Sequence, residues 1–492
     1  MLAQPFPVSD YVAILPLTIV AVTPLLILLL DLILPTGAPR RDSAVAVGIA
    51  GLLLAAYVLV RQYLAHQFAP AFGFGFILGG FSIAFSLIVV ASAIFSLLMV
   101  LPQRDDEKVG PSCALMLWSA AGAMLMAGAG DLMTIFLGLE ILSLALYCLC
   151  GMVSKASDVR RREARESALK YLILSSMASG FMLYGMALLF GATGSVNLAA
   201  LQAVPAGNPI FAMGCGLFMI GVAFKLGLVP FHVWMPDVFE GAPLPVTAFM
   251  SVVTKAGMLA VFARFLYGVL TPAGHEALIA PIWIVAGLSM LIGNLAALSQ
   301  IDMKRLLAYS GIAQLGYIVA ALAGTSTLGM RYAIFYLGAY TFMNLGAFAV
   351  VALISRDQEE DSHLSAFSGL GTRHPILAGA MAFFLLSLAG LPPTAGFIGK
   401  ILILGSIIAA STIEGRASYQ ILAWLLIGGT AISIYVYIKI VRAMYVPVDL
   451  AHIREIRPLS YAPWIGVAIC AVATVALGFY PVALHDVLPR IR

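Results

Sequence analysis

The sequence predicts an all-α membrane protein of about fourteen transmembrane helices, and three observations carry that prediction. Of 492 residues, 62% are hydrophobic and only 10% are charged, against about 25% charged in a soluble domain. Mean hydropathy is +1.02, which leaves too little polar surface to cover a water-soluble body of this size. The apolar residues also fall in runs of about 20, the length a helix needs to cross a bilayer. Spanning β-strands would show alternation over about ten residues, and no such pattern is visible.

In chain order the spans lie near 11–34, 44–64, 75–100, 111–129, 131–153, 167–191, 208–236, 244–268, 278–298, 304–323, 330–353, 376–411, 420–444 and 461–481. The longest polar interludes are Ser154 to Glu166, Ser355 to His374 and Pro447 to Pro458. Lys and Arg favour the cytoplasmic loops of membrane proteins. Loops after odd-numbered spans carry sixteen of them; loops after even-numbered spans, with the C-terminus, carry only Arg61, Arg264, Arg331, Arg416, Arg490 and Arg492. Both termini are therefore expected on the non-cytoplasmic side. Met1 to Asp10 have no positive charge, so no secretory leader is expected.

With the cations at the edges of spans (Arg61, Arg264, Lys304, Arg305, Arg331 and Arg442) counted with the loops, the remaining five, Lys170, Lys225, Lys255, Lys400 and Lys439, lie inside spans, and all are lysine. A buried guanidinium keeps its proton, whereas a buried ammonium can lose it, so the choice points to groups that titrate. Near span ends, snorkelling explains Lys170 and Lys439 as well. Among 23 acids only Glu140 sits mid-span, about nine residues or roughly 13 Å into its helix. An intramembrane carboxylate is a functional candidate by default, although a static ion pair would place it there too. Asp31 and Asp131, near span ends, read as solvated or capping groups.

Two spans are unusual as helices. Lys225-Leu-Gly-Leu-Val-Pro-Phe-His-Val-Trp-Met-Pro236 contains Gly227 and Pro230, and Leu388-Ala-Gly-Leu-Pro-Pro-Thr-Ala-Gly-Phe-Ile-Gly-Lys400 contains Pro392 and Pro393. Proline removes a backbone donor and clashes with the preceding turn, so each span is expected to be broken. Irregular backbone survives at membrane depth only inside protein or beside a wet cavity. Two breaks at matching positions point to inverted repeats around a midplane ion site; two unrelated kinks would leave the same prolines. His232 follows the first break, and imidazole suits proton shuttling near neutral pH, or a structural bond to the backbone.

Much chemistry is excluded. The five cysteines lie in apolar runs without a CxxC, so zinc or iron–sulfur ligation is not expected. No phosphate-binding loop, HExxH or nucleophile elbow is present, and no basic block suits nucleic acid. The driving force must come from an ion gradient or a partner.

Several stretches resemble the antiporter-like membrane subunits of respiratory complex I. They are Phe136-Leu-Gly-Leu-Glu-Ile-Leu-Ser-Leu-Ala-Leu-Tyr147, Glu166-Ser-Ala-Leu-Lys-Tyr171, Phe224-Lys-Leu-Gly-Leu-Val-Pro-Phe-His-Val-Trp-Met-Pro-Asp-Val-Phe-Glu-Gly-Ala-Pro243 and Val253-Thr-Lys-Ala-Gly257. The likeness runs from about 110 to 445. It lies with the N-type branch: Lys400 stands where the M-type carries glutamate, and the long lateral helix of the L-type is not expected. The resemblance implies a three-helix segment (1–104), two inverted five-helix repeats (111–270 and 277–445) and a last span (460–482). It also implies a relay in which Glu140 and Lys225 form the coupling pair, Lys255 and His232 continue a polar axis, and Lys400 loads the final proton. Lys170 matches a further family lysine.

By the same resemblance, the chain would serve a NADH:quinone oxidoreductase of a bacterial inner membrane without its own redox centre. FMN, iron–sulfur clusters and NADH would belong to partner subunits. Partners would include an M-type neighbour, with the quinone pool reached through the complex. A unit charge pair at 4 Å gives about 4 kcal/mol at an effective dielectric of 20, enough to hold or release one proton. The alternatives are a subunit of a multi-subunit cation/proton antiporter or of a membrane-bound hydrogenase, and a purely structural anchor.

Overall fold

The computed structural model describes residues 6–35, 37–101, 108–153, 157–205, 207–271, 276–354, 362–413, 419–446 and 461–481. Arg104, Lys155, Arg356, Arg416, Arg454, Arg457, Arg490 and Arg492, which enter the charge asymmetry, lie outside the described residues, as do both chain ends. Among the described residues fourteen helices are long and apolar enough to cross a membrane. They run Leu15–Ile33, Pro39–Leu64, Gly80–Val100, Val109–Gly128, Leu132–Cys150, Asp158–Thr193, Pro209–Leu226, Leu244–Leu270, Leu278–Leu298, Met303–Ala323, Thr327–Ile354, Ala395–Thr412, Tyr419–Tyr445 and Ala462–Phe479. The eighth is buried along its whole length and the tenth and eleventh almost so, whereas the first, second and thirteenth present most of their surface outward. The core of the bundle is therefore the group that carries Lys255, Gln314 and Tyr340.

Both expected breaks are present. The seventh span is Pro209–Leu226 followed by Trp234–Gly241, and the twelfth is Pro375–Ala389 followed by Ala395–Ile413. The first half-helices end in the same way. Gly227 (φ 74°) and Gly390 (φ 89°) take left-handed backbone, which costs glycine little. The following amides then close the helix ends: Leu228 donates to Ala223 and Gly227 to Phe224, both at 2.9 Å, while Leu391 donates to Leu386 at 3.1 Å and Gly390 to Ser387 at 2.9 Å. This double closure is the Schellman arrangement. Pro230 and Pro393 stand at the same distance beyond the two glycines, each after a cis peptide bond. The breaks thus match residue for residue at the backbone although their lysines do not.

Three local expectations are corrected. The third helix begins at Gly80, not 75, because Ala69–Ala71 (β1) and Phe76–Leu78 (β2) form an antiparallel hairpin with Ala69 opposite Leu78. Asp10 holds its turn by accepting from the Phe72 amide at 2.7 Å. The sixth helix begins at Asp158, nine residues before the expected start, because Ser157 caps Arg160 at 3.2 Å and charge pairs Arg161–Asp158 and Lys170–Glu166 extend it ahead of the apolar segment. Asp131 caps Thr134 as expected, at 2.6 Å. Asp31 instead forms a two-bond ion pair with Arg40 across the first helical hairpin, with side chains 9% and 18% exposed.

Removing one partner of such a pair strands the other charge. Arg40→Gln is expected to cost about 2 kcal/mol after allowance for partial exposure, and Asp31→Asn added to it should recover part of the loss. Thermal unfolding in detergent of both single variants and the double variant checks this; additive losses would show that the pair is not coupled.

Candidate functional site

Three of the five in-span lysines are buried in the bundle: Lys225 and Lys400 are 4% exposed and Lys255 is 1% exposed. An ammonium carried out of water costs several kcal/mol unless polar groups replace its hydration. Each lysine finds a different replacement. None has a carboxylate within 4 Å among the described residues.

Lys225 is in the last turn of the first half of the seventh span. Its Nζ donates to Ser143 Oγ at 2.8 Å, to Tyr147 Oη at 3.5 Å and to Ser175 Oγ, while Tyr147 Oη donates to Ser175 at 2.7 Å. Ser143 and Tyr147 follow Glu140 by three and seven residues, so the fifth helix presents all three on one face. The expected direct Glu140–Lys225 pair at 4 Å is not formed. Hydroxyls occupy the ammonium, and the buried Oε1 of Glu140 has no hydrogen-bond partner.

Lys255, eleven residues into the eighth helix, donates to Tyr340 Oη at 3.0 Å and lies 5.0 Å from that ring's centroid. The Tyr340 hydroxyl lies 3.5 Å from the Ser251 carbonyl, and Asn344 donates to Ser251 Oγ at 2.6 Å. Gly311 faces Lys255 so closely that an added Cβ would strike Nζ.

Lys400 starts from the second half of the twelfth span and reaches back across the break. Its Nζ donates to the carbonyls of Leu388 at 3.0 Å and Ala389 at 2.9 Å and sits 5.0 Å from the Tyr317 ring centroid. Those carbonyls end the half-helix Pro375–Ala389, where unpaired acceptors and the negative end of the helix dipole stabilise a cation by about 0.3–2 kcal/mol. Leu388 also accepts from Gln314 Nε2 at 3.1 Å, and Tyr336 donates to Gln314 Oε1. Gln314 and Lys400 thus share one carbonyl.

His232 is half-buried, edge-on to Tyr309 at 6.4 Å, with Nδ1 lacking a hydrogen-bond partner. No hydrogen bond joins it to Lys225 or Lys255 among the described residues; Lys255 meets Tyr340. Lys170 pairs with Glu166 at 2.7 Å and Asp237 at 3.4 Å, and Arg305 with Asp237 at 2.7 Å and Glu240 at 2.6 Å. These charges line an open cavity of about 420 Å³. Lys439 reaches the Leu298 carbonyl at 3.1 Å from an exposed position, as snorkelling predicts.

The hydroxyl and amide partners were not singled out from the sequence. Ser143 and Tyr147 carry a signal, their helical spacing from Glu140; Ser175, Gln314, Tyr336 and Tyr340 carry none, because one polar residue in an apolar helix does not reveal which neighbour it meets. Among the described residues no group of three His, Cys, Asp or Glu side chains is placed to hold a metal.

The family model for the transmembrane part of NADH:quinone oxidoreductase and the Mrp antiporter matches residues 129–427. A relative from Symbiobacterium thermophilum, NADH-quinone oxidoreductase subunit N 1, is 36% identical, with 96% of each chain covered. NADH-quinone oxidoreductase subunit N of Geobacillus kaustophilus is also 36% identical, covering 98% of this chain and 97% of that one. A chain of respiratory complex I from Thermus thermophilus superposes with a TM-score of 0.80 at 33% identity, covering 96% of this chain and 99% of that one. With the match embracing both broken helices and all three buried lysines, the chain belongs to the NADH:quinone oxidoreductase/Mrp antiporter membrane family.

Proposed function

We propose that Glu140, Lys225, Lys255 and Lys400 relay protons across a membrane-arm subunit of a proton-translocating NADH:quinone oxidoreductase. The observation that carries this reading is that three buried ammonium groups are held by hydroxyls, carbonyls and rings instead of carboxylates. A locked salt bridge fixes its charge, whereas a hydroxyl accepts from an ammonium and donates to an amine. Such a site tolerates both protonation states. Redox chemistry in partner subunits changes the field at Glu140, and that field decides whether Lys225 keeps its proton. A unit charge pair separated by about 6 Å at a dielectric of 20 gives about 3 kcal/mol. Moving one charge through about 150 mV takes roughly 3.5 kcal/mol, so one such interaction gates most of one proton transfer.

The matching Schellman ends at Gly227 and Gly390 support two inverted repeats, residues 111–270 and 277–445, flanked by 1–104 and 460–482. The charge bias supports a multi-pass protein of the bacterial inner membrane with both termini outside the cytoplasm. FMN, iron–sulfur clusters and NADH belong to partner subunits in this reading, and an M-type subunit stands beside this chain. Lys170 sits in the charged cavity where protons are taken up, and His232 is auxiliary to the axis.

Reconstituted enzyme with Lys225→Ala or Glu140→Ala is expected to lose proton pumping by this subunit while NADH oxidation by a soluble acceptor is unchanged. An undiminished proton-to-electron ratio in both variants defeats the reading, and pumping that requires sodium without quinone reduction would favour an antiporter. Tyr340→Phe removes the one hydroxyl on Lys255 and should slow coupled turnover about fivefold, the equivalent of about 1 kcal/mol. Gln314→Leu is expected to do the same at Lys400, with Gln314→Glu retaining more activity; both are read as proton uptake per quinone reduced.

A further inference from the structure

A cavity of about 750 Å³ opens where the hairpin meets the start of the third helix, the end of the eighth and the start of the eleventh. Two guanidinium groups, Arg264 and Arg331, line it, and no carboxylate does. Among the described residues neither arginine belongs to an ion pair. Arg264 Nη2 donates to the Ala127 carbonyl at 2.9 Å, and its guanidinium carbon lies 5.0 Å from the Phe81 ring centroid. Its Nε is buried without a partner.

Arginine stays charged wherever it is placed, and a desolvated charge without a counter-ion costs several kcal/mol. These two are also among the few cations on the cation-poor side of the bundle, where the eighth span ends and the eleventh begins. The positive-inside bias works against them there, so a specific demand must retain them. Guanidinium forks fit phosphate oxygens through paired charge-assisted bonds. The remainder of the wall is largely apolar, with Phe74, Ile77 and Phe81 available to hydrocarbon. Free phosphate would satisfy the arginines and leave that wall uncovered; a phospholipid satisfies both.

We infer that this cavity binds the phosphate headgroup of an anionic phospholipid of the non-cytoplasmic leaflet on Arg264 and Arg331, its acyl chains running along Phe74, Ile77 and Phe81. The lipid neutralises the two guanidiniums and closes the space between the hairpin and the eighth and eleventh helices. The inference needs only the membrane location, not the proton relay.

The test is binding of radiolabelled dioleoylphosphatidylglycerol to the delipidated, assembled complex in dodecyl maltoside. Arg331→Gln, at a half-exposed position, should weaken one saturable site about tenfold, the scale of one lost charge-assisted bond, and Arg264→Gln should do likewise. Arg61→Gln, an exposed cation outside the cavity, should bind as wild type. Inorganic phosphate should compete only at far higher concentration than the lipid. Competition by phosphate mole for mole would overturn the lipid in favour of the free anion. Unchanged lipid binding in both cavity variants would overturn the site. Loss of a neighbouring subunit with lipid binding intact would overturn it too, by showing that the arginines meet a partner's carboxylate.

Discussion

An ammonium group in hydrocarbon must find replacements for its hydration, and most of the inner architecture answers that demand. Among the described residues Lys225, Lys255 and Lys400 are each held without a carboxylate within 4 Å, by a serine–tyrosine cluster, by one tyrosine and by two main-chain carbonyls respectively. The carbonyls exist only because the twelfth span is interrupted. A continuous helix would have spent Leu388 O and Ala389 O on its own hydrogen bonds. The break is therefore the cation site itself, and the glycine that ends the half-helix also leaves room for the lysine stem: a Cβ at Gly390 would meet Lys400 Cδ at 3.0 Å.

The two breaks show how one backbone device serves two chemistries. Gly227 and Gly390 close their half-helices with the same pair of amide bonds. Lys225 precedes its glycine and sends its side chain outward to the fifth and sixth helices, whereas Lys400 follows its glycine and turns back onto it. The first is set against Glu140, at the side of the bundle; the second is sealed among Tyr317, Gln314 and Leu388.

Much of this was legible in the sequence because its signals are chemical and local. Span length, the prolines at Pro230 and Pro392, the lone mid-span Glu140 and the lysines at Lys225, Lys255 and Lys400 all follow from the cost of polarity in lipid. What was hidden is pairwise. Apolar helices look alike whether they face lipid or protein, so the burial of the eighth helix could not be read, nor that Tyr340 meets Lys255. The hairpin escaped because Ala69–Leu78 is as apolar as the helix it precedes. The Glu140–Lys225 distance was misjudged because opposite charges suggest contact, while Ser143 and Ser175 stand closer and need no second desolvated ion. The start of the sixth helix was missed because charge pairs, not apolar residues, extend it.

The claim that holds these observations together is that Glu140 governs the proton on Lys225 through the hydroxyl cluster. Nitrogen-15 NMR of lysine-labelled complex, with the Lys225 resonance assigned by its disappearance in Lys225→Met, measures that proton directly. With Glu140 ionised the resonance should be that of an ammonium, and in Glu140→Gln at the same pH it should move toward a neutral amine. An identical ammonium resonance in both would contradict the coupling and leave Lys225 a static cation.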